Sequence, residues 1–529
     1  MKKSIIQYLF IGSLVCLSAC YEDDSTLGTQ FVSDIEITGL TDQSIISYAQ
    51  NYLTIQPQIK TEYPEDQLEY AWYIYKSQSS EQENGFRHQQ IATTKDLNYE
   101  VNLPSGTYVI VFEVKSLTND YSKTATMELT TSTETSKGFY ILKETPDGNT
   151  DIDLYYNGQH STNILTKKYG SPLTGKPRNI SIAYVGEYID TETNETTQGD
   201  IIHILTEDNV YQGLESEGLS EVFNNNTLFY AGNMNGEQPY TIIRSAWSTA
   251  YFSNTGIRNA KTSSFGEPPY NTGKLGLPID EHDASQFIIP LEAGSTILYW
   301  SNADHKLHSI NTNFEYPSSV TATATGVTYP DGLTCISAGT NMMGGAFGPV
   351  TVYFLCEQPT TKERYLLLIN YDMYSFKAIE INEVIKLDPS LHIAQNDLVA
   401  INRLTATYIY SISEDNKLYA YSWLTKDERE FSLPGIPADE KINYISNQFF
   451  YLYYMPDLCV DDLIIGTHTG NQYKLYFYSS SENMNGGRPL TEGTVVTGEG
   501  KVKAVRYISS GAFKSGVELM GNPLFPTTD

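Results

Sequence analysis

Short runs of apolar residues, which alternate with polar residues in the N-terminal part and are nearly continuous later, recur along the whole chain and predict β-strands. Examples in the N-terminal part are residues 35–37, 53–55, 70–75, 108–112 and 125–129, and later examples are residues 201–205, 297–300, 408–412 and 473–476. Clusters of Gly, Pro, Asn and Asp separate these runs, as expected for tight turns. The pattern therefore predicts an all-β protein.

The runs between residues 33 and 134 predict a first domain of five to seven short strands. Turn residues separate them, for example at Pro64-Glu65-Asp66 and Pro104-Ser105-Gly106. Such a set of strands, with one tryptophan on an early central strand, is typical of an Ig-like β-sandwich. We expect Trp72 to lie in its core, and Tyr108 resembles the corner tyrosine of such domains.

The chain from residue 137 onward repeats one unit, in which an apolar strand is followed by a polar turn and a second strand rich in tyrosine. Asp208 and Asp304 are 96 residues apart, Asp304 and Asp415 are 111 apart, and Asp415 and Gly470 are 55 apart, so one further unit fits inside each of the two long intervals. The seven predicted turns lie at Asp147-Gly148, Asp208, Asn254-Thr255-Gly256, Asp304, Pro359-Thr360-Thr361, Asp415 and Gly470. A period near fifty residues predicts a β-propeller of about seven blades over residues 137–529, with an array of sandwiches as the alternative.

The first twenty residues predict export. Lys2 and Lys3 precede a mostly apolar stretch that is too short to span a bilayer, and residues 17–20 read Leu-Ser-Ala-Cys. This sequence resembles a bacterial lipobox, which implies a signal peptide over residues 1–19 and a lipid anchor on Cys20. The acidic tether of residues 20–32 follows, and its first acidic residues resemble a signal for exposure on the outer membrane surface.

The charge of the chain excludes some partners. The net charge of −29 becomes −31 when Lys2 and Lys3 leave with the signal, so a nucleic-acid partner is not expected. Of the five cysteines, Cys335, Cys356 and Cys459 remain after the signal and the anchor are assigned. Their wide spacing predicts no zinc site and at most one disulfide, whose partners the sequence leaves open.

The N-terminal part is similar to one known family. After the acidic residues, the order of short packing and turn segments resembles that of the PKD-like family lipoproteins of Bacteroidetes. These segments are residues 35–37, 67–72, 95–97, 106–108 and 138–142. The resemblance implies an accessory lipoprotein of the outer membrane that faces the cell exterior and takes part in nutrient uptake of the starch-utilisation type. Its expected partners are a TonB-dependent transporter with its lid lipoprotein, and its expected ligand is an oligopeptide or an oligosaccharide.

The chain lacks the established motifs for nucleophilic catalysis, zinc binding and phosphate binding, so we expect no catalytic residue, no metal and no cofactor. Candidate ligand-binding residues are aromatic side chains on predicted loops, namely Trp247, Phe265, Tyr270 and Phe347. The glycine-rich stretch 339–348 is predicted to expose Met342, Met343 and Phe347. Two other function classes stay open, a propeller hydrolase or lyase that acts on a peptide or glycan, and a structural or adhesive surface protein without a small ligand.

Overall fold

The structure is a computed structural model that describes most of the chain and divides it into two compact units. The units are Met1–Asn102 with Thr107–Thr131, and Leu103–Gly106 with Ser132–Asp529. The described residues are 32–47, 51–77, 88–103, 105–190, 194–234, 236–244, 248–261, 272–291, 296–311, 317–320, 328–342, 350–372, 379–450 and 460–509.

The N-terminal unit consists of antiparallel strands around a small aromatic core. Strands β2, β9, β8, β5 and β6 form one five-stranded sheet in that order, while β1 pairs with β4 and β3 pairs with β7. Trp72 is fully buried, stacks on Phe112 with a ring-centroid distance of 4.2 Å, and donates its indole N–H to the Thr94 carbonyl at 2.9 Å. The core role predicted for Trp72 is therefore confirmed, and Tyr108 is buried as well. The strands are β1 (Glu36–Thr38), β2 (Gln43–Ile46), β3 (Tyr52–Ile55), β4 (Gln58–Lys60), β5 (Leu68–Lys76), β6 (Gln89–Ala92), β7 (Leu97–Glu100), β8 (Gly106–Ser116) and β9 (Ser122–Ser132), and one 3-10 turn covers Glu65–Gln67.

The described part of the second unit contains seven four-stranded antiparallel sheets, which we call blades 1 to 7. Blade 1 comprises β39 (Lys501–Ser509), β10 (Lys137–Glu144), β11 (Thr150–Tyr156) and β12 (Gln159–Ser161), in that order across the sheet. Blade 2 comprises β13 (Pro177–Ile189), β14 (Thr196–Thr206), β15 (Tyr211–Glu215) and β16 (Glu221–Asn224). Blade 3 comprises β17 (Pro239–Arg244), β18 (Ser248–Ser253), β19 (Gly256–Lys261) and β20 (Pro278–Asp280). Blade 4 comprises β21 (Ala284–Pro290), β22 (Thr296–Ser301), β23 (Lys306–Asn311) and β24 (Pro317–Ser319).

The remaining blades follow the same order. Blade 5 comprises β25 (Thr334–Asn341), β26 (Val350–Glu357), β27 (Arg364–Tyr371) and β28 (Glu383–Lys386). Blade 6 comprises β29 (Val399–Ile401), β30 (Tyr408–Ile412), β31 (Leu418–Ser422) and β32 (Glu428–Phe431). Blade 7 comprises β33 (Ile442–Phe450), β34 (Val460–Thr469), β35 (Gln472–Ser479) and β38 (Thr494–Glu499), with the short hairpin β36 (Met484–Asn485) and β37 (Arg488–Pro489) before β38. Helix α1 covers Ile164–Tyr169, and a 3-10 turn covers His392–Ala394.

The seven turns predicted from the sequence are the turns between the second and third strands of the seven blades. Each turn contains one residue with a positive φ angle, a conformation that glycine and asparagine adopt at low cost. These residues are Gly148, Asn209, Gly256, His305, Lys362, Asn416 and Gly470. The turn residues therefore marked the blades correctly, and the predicted fold class is confirmed.

Strands from the two ends of the unit close the ring. In blade 1, β39 pairs with β10, and Tyr140 lies opposite Arg506 in the antiparallel register. The strands β39, β13, β17, β21, β25, β29 and β33 contact one another in that order, and β33 contacts β39 again. These seven strands therefore line the centre of a closed ring.

Each pair of neighbouring blades encloses one hydrophobic cluster, so both faces of every sheet are buried. Adjacent residues of one strand face different clusters, because side chains alternate across a strand: Ile242 packs between blades 2 and 3, and Ile243 packs between blades 3 and 4. The fully buried Trp300 belongs to the cluster between blades 4 and 5. A single blade cannot bury both of its faces, so the stability of each blade depends on its neighbours.

A buried ion pair lies at the interface between blades 1 and 7. Lys143 Nζ is 2.7 Å from Asp153 Oδ1, and both side chains are almost completely buried. Tyr473 of blade 7 donates its hydroxyl to Asp153 Oδ2 at 2.6 Å. Burial favours a raised pKa for Asp153, but hydrogen bonds from His160, Lys143 and Tyr473 outweigh it and lower the pKa. The buried Asp153 carboxylate thus connects the first and last blades, because it binds both Lys143 of blade 1 and Tyr473 of blade 7.

We expect Asp153→Ala to lower the free energy of unfolding by about 3–5 kcal/mol, because it leaves the Lys143 ammonium buried without its carboxylate. The matched control is Asp415→Ala, which removes an exposed Asp–Lys contact of 3.6 Å to Lys417 and is expected to cost less than about 1 kcal/mol. Urea unfolding at pH 7 measures both values. Because the pKa of Asp153 is lower in the folded state, its contribution is present above the ordinary aspartate pKa and is lost as the pH falls through the folded value. Equal losses in the two variants would contradict the role of the buried pair.

Candidate functional site

The residues predicted from the sequence to bind a ligand all lie outside the described part of the chain. Trp247, Phe265, Tyr270 and Phe347 fall in the intervals 245–247, 262–271 and 343–349, and Cys20 precedes residue 32. Their roles stay predictions. The expected exposure of Met342 is wrong: residues 339–341 end strand β25, and Met342 is 1% exposed in the cluster between blades 4 and 5. A strand that continues into the interblade core buries this methionine despite its glycine-rich surroundings.

The candidate site is a cleft between blades 1 and 7, with a volume of about 300 Å³. Blade 1 contributes residues of β10, β11 and β39, and blade 7 contributes residues of β34, β35, β38 and the segment after β35. The lining residues are Lys137, Phe139, Tyr155, Tyr156, Asn157, Val460, Asp462, Phe477, Ser479, Glu482, Asn483, Thr494 and Tyr507. This volume is at the lower end of the range for small-molecule pockets.

Four aromatic rings form one wall of the cleft. Phe139 is at the centre, with ring-centroid distances of 4.8 Å to Phe477 and 5.0 Å to Tyr507 in edge-to-face arrangements. Tyr155 lies opposite Phe139 in the register of β10 and β11, and its ring is 5.4 Å from that of Phe477. The rings come together because Phe139 and Tyr155 share a face of blade 1 that packs against blade 7.

Polar groups of several kinds surround the aromatic wall. Lys137 Nζ lies over the ring of Tyr156 at 5.2 Å from its centroid. Asn157, Glu482 and Thr494 are exposed, while Asn483 is half-buried. Amide, hydroxyl and carboxylate groups beside aromatic rings are suited to a ligand that has both hydrogen-bonding groups and an apolar face.

Two consecutive acidic residues near the start of strand β34 point to opposite faces of blade 7. Asp462 lies at the cleft, opposite Ser479 of β35, whereas Asp461 lies on the other face, opposite Phe449 of β33. Asp461 is 6% exposed. The polar groups that influence it are Asn447, Arg403 and Thr405, which belong to blades 6 and 7.

Burial perturbs both carboxyl groups. It raises the pKa of Asp461 to about 6, against the opposing effect of Asn447, Arg403 and Thr405. Burial and, next, the negative charge of Asp461 raise the pKa of Asp462 to about 7, and the charge of Glu482 acts in the same direction. Asp462 therefore exchanges its proton near neutral pH, and it can donate or accept a hydrogen bond from the cleft wall.

Sequence reasoning missed this cleft because its residues come from strands that are far apart along the chain. One local signal was available: Asp461 and Asp462 directly precede Leu463-Ile464-Ile465, a strand segment that is buried on both faces. Two acidic residues at the start of such a strand are unusual, because burial of a carboxylate is costly. Within the described ranges, no group of three or more His, Cys, Asp or Glu side chains is arranged to hold a metal ion, and no helix has the length and apolar character of a membrane span.

We expect Asp462→Asn to make protein stability less dependent on pH. The folded state binds the Asp462 proton more tightly than the unfolded state does, so the wild-type protein loses stability as the pH rises from about 4 to 7. The free energy of unfolding of the variant should exceed that of the wild type by about 3 kcal/mol more at pH 8 than at pH 4.5. Urea unfolding at the two pH values measures the difference. The control Asp147→Asn, on an exposed turn, should leave the free energy of unfolding unchanged at both pH values. If Asp462→Asn had the same effect at both pH values, the raised pKa of Asp462 would be contradicted.

Comparisons with known proteins give one sequence match and several distant structural likenesses. The chain has no match among curated proteins. A quinonprotein alcohol dehydrogenase-like protein from Bacteroides thetaiotaomicron is 13% identical, with 88% of this chain and 96% of that chain covered and a TM-score of 0.37. A DUF4784 family protein from Bacteroides caccae is 9% identical, with 75% and 95% covered and a TM-score of 0.30. The WD40 domain of SCAP from fission yeast is 10% identical, with 60% and 73% covered and a TM-score of 0.30.

At these identities and TM-scores the structural likenesses carry no argument about activity. The sequence match is to the PKD-like family and covers residues 20–177, which include strands β1 to β12 and end at the first residue of β13. The resemblance inferred from the order of packing and turn residues is thereby confirmed. Residues 20–177 of this chain are therefore similar to the PKD-like family.

Proposed function

We propose that this protein is a lipid-anchored lipoprotein of the outer bacterial cell surface that binds an oligosaccharide in the cleft between blades 1 and 7. The observation that carries the proposal is the aromatic wall of Phe139, Tyr155, Phe477 and Tyr507 beside amide, hydroxyl and carboxyl groups. Sugar rings offer apolar faces that pack on aromatic rings and hydroxyl groups that bond to such polar side chains. An oligopeptide is the second ligand to test.

The charge of the cleft favours a ligand without negative charge. Asp462 and Glu482 both line it, and Lys137 is the one cationic residue among the lining side chains that the structure describes. The chain as a whole has a net charge of −29, so an anionic ligand would meet repulsion both at a distance and in the cleft. A neutral oligosaccharide avoids this cost.

The proposed cellular role is that of an accessory binding component of an outer-membrane nutrient uptake system. Support comes from the PKD-like family match over residues 20–177 and from the lipobox-like sequence that ends at Cys20. A TonB-dependent transporter and its lid lipoprotein are the proposed partners. Acylation of Cys20 would hold the binding cleft near the transporter.

A hydrolase or lyase is the second candidate function, because two carboxyl groups line the same cleft. The pKa of Asp462 is raised to about 7, mainly by burial, so this group can act as a general acid near neutral pH. Glu482 is exposed at the same cleft and supplies the second carboxyl group. Paired carboxyl groups of this kind cleave glycosidic bonds in other proteins.

We expect Glu482→Gln and Asn483→Ala each to weaken oligosaccharide binding by about 3–10-fold, because the first replaces a carboxyl acceptor with a neutral amide and the second removes an amide from the cleft. The matched control is Glu430→Gln, on strand β32 of blade 6, which should leave the affinity unchanged. Calorimetric titration with a panel of neutral oligosaccharides and peptides measures the affinity, and product analysis of the same samples measures turnover.

The possible results of this titration separate the function classes. Binding that the cleft variants leave unchanged would contradict the cleft as the site, and absence of binding to every panel member would favour a structural or adhesive protein. Turnover that Asp462→Asn abolishes would favour the hydrolase or lyase. If the protein binds peptides more tightly than oligosaccharides and the cleft variants weaken that binding, the cleft remains the site and the ligand is a peptide.

We expect Cys20→Ala to move the protein from the membrane fraction to the soluble fraction, because the variant lacks the thiol that would carry the lipid. Cys16→Ala is the matched control, since Cys16 lies within the predicted signal peptide and its loss should leave the anchor in place. Membrane fractionation followed by immunoblotting measures the distribution. Firm membrane association of the Cys20→Ala variant would contradict the lipid anchor.

A further inference from the structure

The structure places two cysteines opposite each other in blade 5. Cys335 of β25 and Cys356 of β26 are direct partners in the antiparallel register. They are 4% and 0% exposed, and both belong to the hydrophobic cluster between blades 4 and 5, which also contains Trp300 and Phe354. Both are free thiols in this structure.

The backbone geometry at this position is compatible with a covalent bond between the two sulfurs. Directly opposite residues of antiparallel strands have Cα atoms about 4.5–5.5 Å apart, and disulfides join Cα atoms about 4.4–6.8 Å apart. Burial and, next, interaction with the Cys356 thiol raise the pKa of Cys335, which shows that the two thiols are neighbours. The Cys335 thiol also donates to the Ser337 carbonyl at 3.4 Å.

We propose that Cys335 and Cys356 form an intrachain disulfide that joins the innermost strand of blade 5 to the second strand. The bond forms by exchange with a disulfide-bearing oxidant: one thiolate attacks a sulfur of the oxidant, and the second thiolate then displaces the oxidant from the mixed disulfide. Two cysteine thiols are oxidised to one disulfide, and the oxidant is reduced and leaves as two thiols. Because both sulfurs are buried in the complete ring, the exchange takes place before blade 4 packs against blade 5.

The proposed disulfide between Cys335 and Cys356 has a structural role. The cluster around the sulfurs is apolar, and a disulfide is an apolar cross-link that requires no compensating hydrogen bond. The bond closes a loop between residues 335 and 356 and restricts the unfolded chain. It does not involve the cleft between blades 1 and 7, so its test and the binding tests have independent outcomes.

A single peptide of the natural sequence tests the proposal without any substitution. Trypsin cleaves after Lys306 and Lys362, and residues 307–362 contain no other Lys or Arg and no cysteine except Cys335 and Cys356. Full-length protein from a host that exports it is denatured in iodoacetamide, digested and analysed by mass spectrometry. We expect this peptide to carry no alkyl group and to be lighter than the reduced peptide by two hydrogen atoms. After prior treatment with a reductant it should carry two alkyl groups.

A matched set of variants and conditions identifies the partners. Cys459→Ser should leave the result unchanged, whereas Cys356→Ser should leave one alkylated cysteine in the peptide. Thermal unfolding of the wild-type protein should occur at a lower temperature after reduction. As a second condition, the protein is unfolded and refolded with oxidised glutathione before alkylation. The proposal is overturned if the unreduced peptide still carries two alkyl groups. It is also overturned if each cysteine carries its own glutathione.

Discussion

The pairing of β10 with β39 is the interaction on which the second unit depends. Strand β39 is the last described strand, yet it occupies the innermost position of blade 1. Its eight partners in β10 extend from Lys137 to Glu144. A four-stranded sheet that is apolar on both faces is stable only between two neighbours, so an open array of seven blades would expose one face at each end. Closure removes both exposed faces at once, and the seven interblade clusters follow from it.

The candidate cleft lies at the same interface at which the ring closes. Blade 1 is assembled from strands of both ends of the unit, and it packs on blade 7 through Phe139, Ile141, Leu475 and Phe477. Asp153 and Lys143 form their buried ion pair at this interface. The cleft of about 300 Å³ is lined by residues of the same two blades. Ring closure thus explains both the stability of this interface and the position of the proposed binding site.

Two carboxyl groups associated with this interface show how their surroundings determine their role. Asp153 has a cation and several hydrogen-bond donors around it, which lower its pKa despite burial, so it is a permanent charge that holds neighbouring strands. The neighbours of Asp462 include two further acidic residues, so burial raises its pKa to about 7 without compensation by a cation. Carboxyl groups with perturbed pKa values are concentrated at functional sites, which supports the proposed role of Asp462 in the cleft, whereas Asp153 stabilises the fold.

The sequence by itself determined the secondary structure class and the positions of the seven blade turns, because these features depend on neighbouring residues. Short apolar runs marked the strands, and residues such as Gly148, Asn209 and Gly470 marked turns that need a left-handed conformation. Only the tertiary structure decided which distant strands pair, that Met342 is buried, that Cys335 lies opposite Cys356, and that aromatic residues of blades 1 and 7 meet at one cleft. The physical reason is that such contacts join residues separated by long stretches of chain, as Tyr140 and Arg506 are, and arise only when the ring closes.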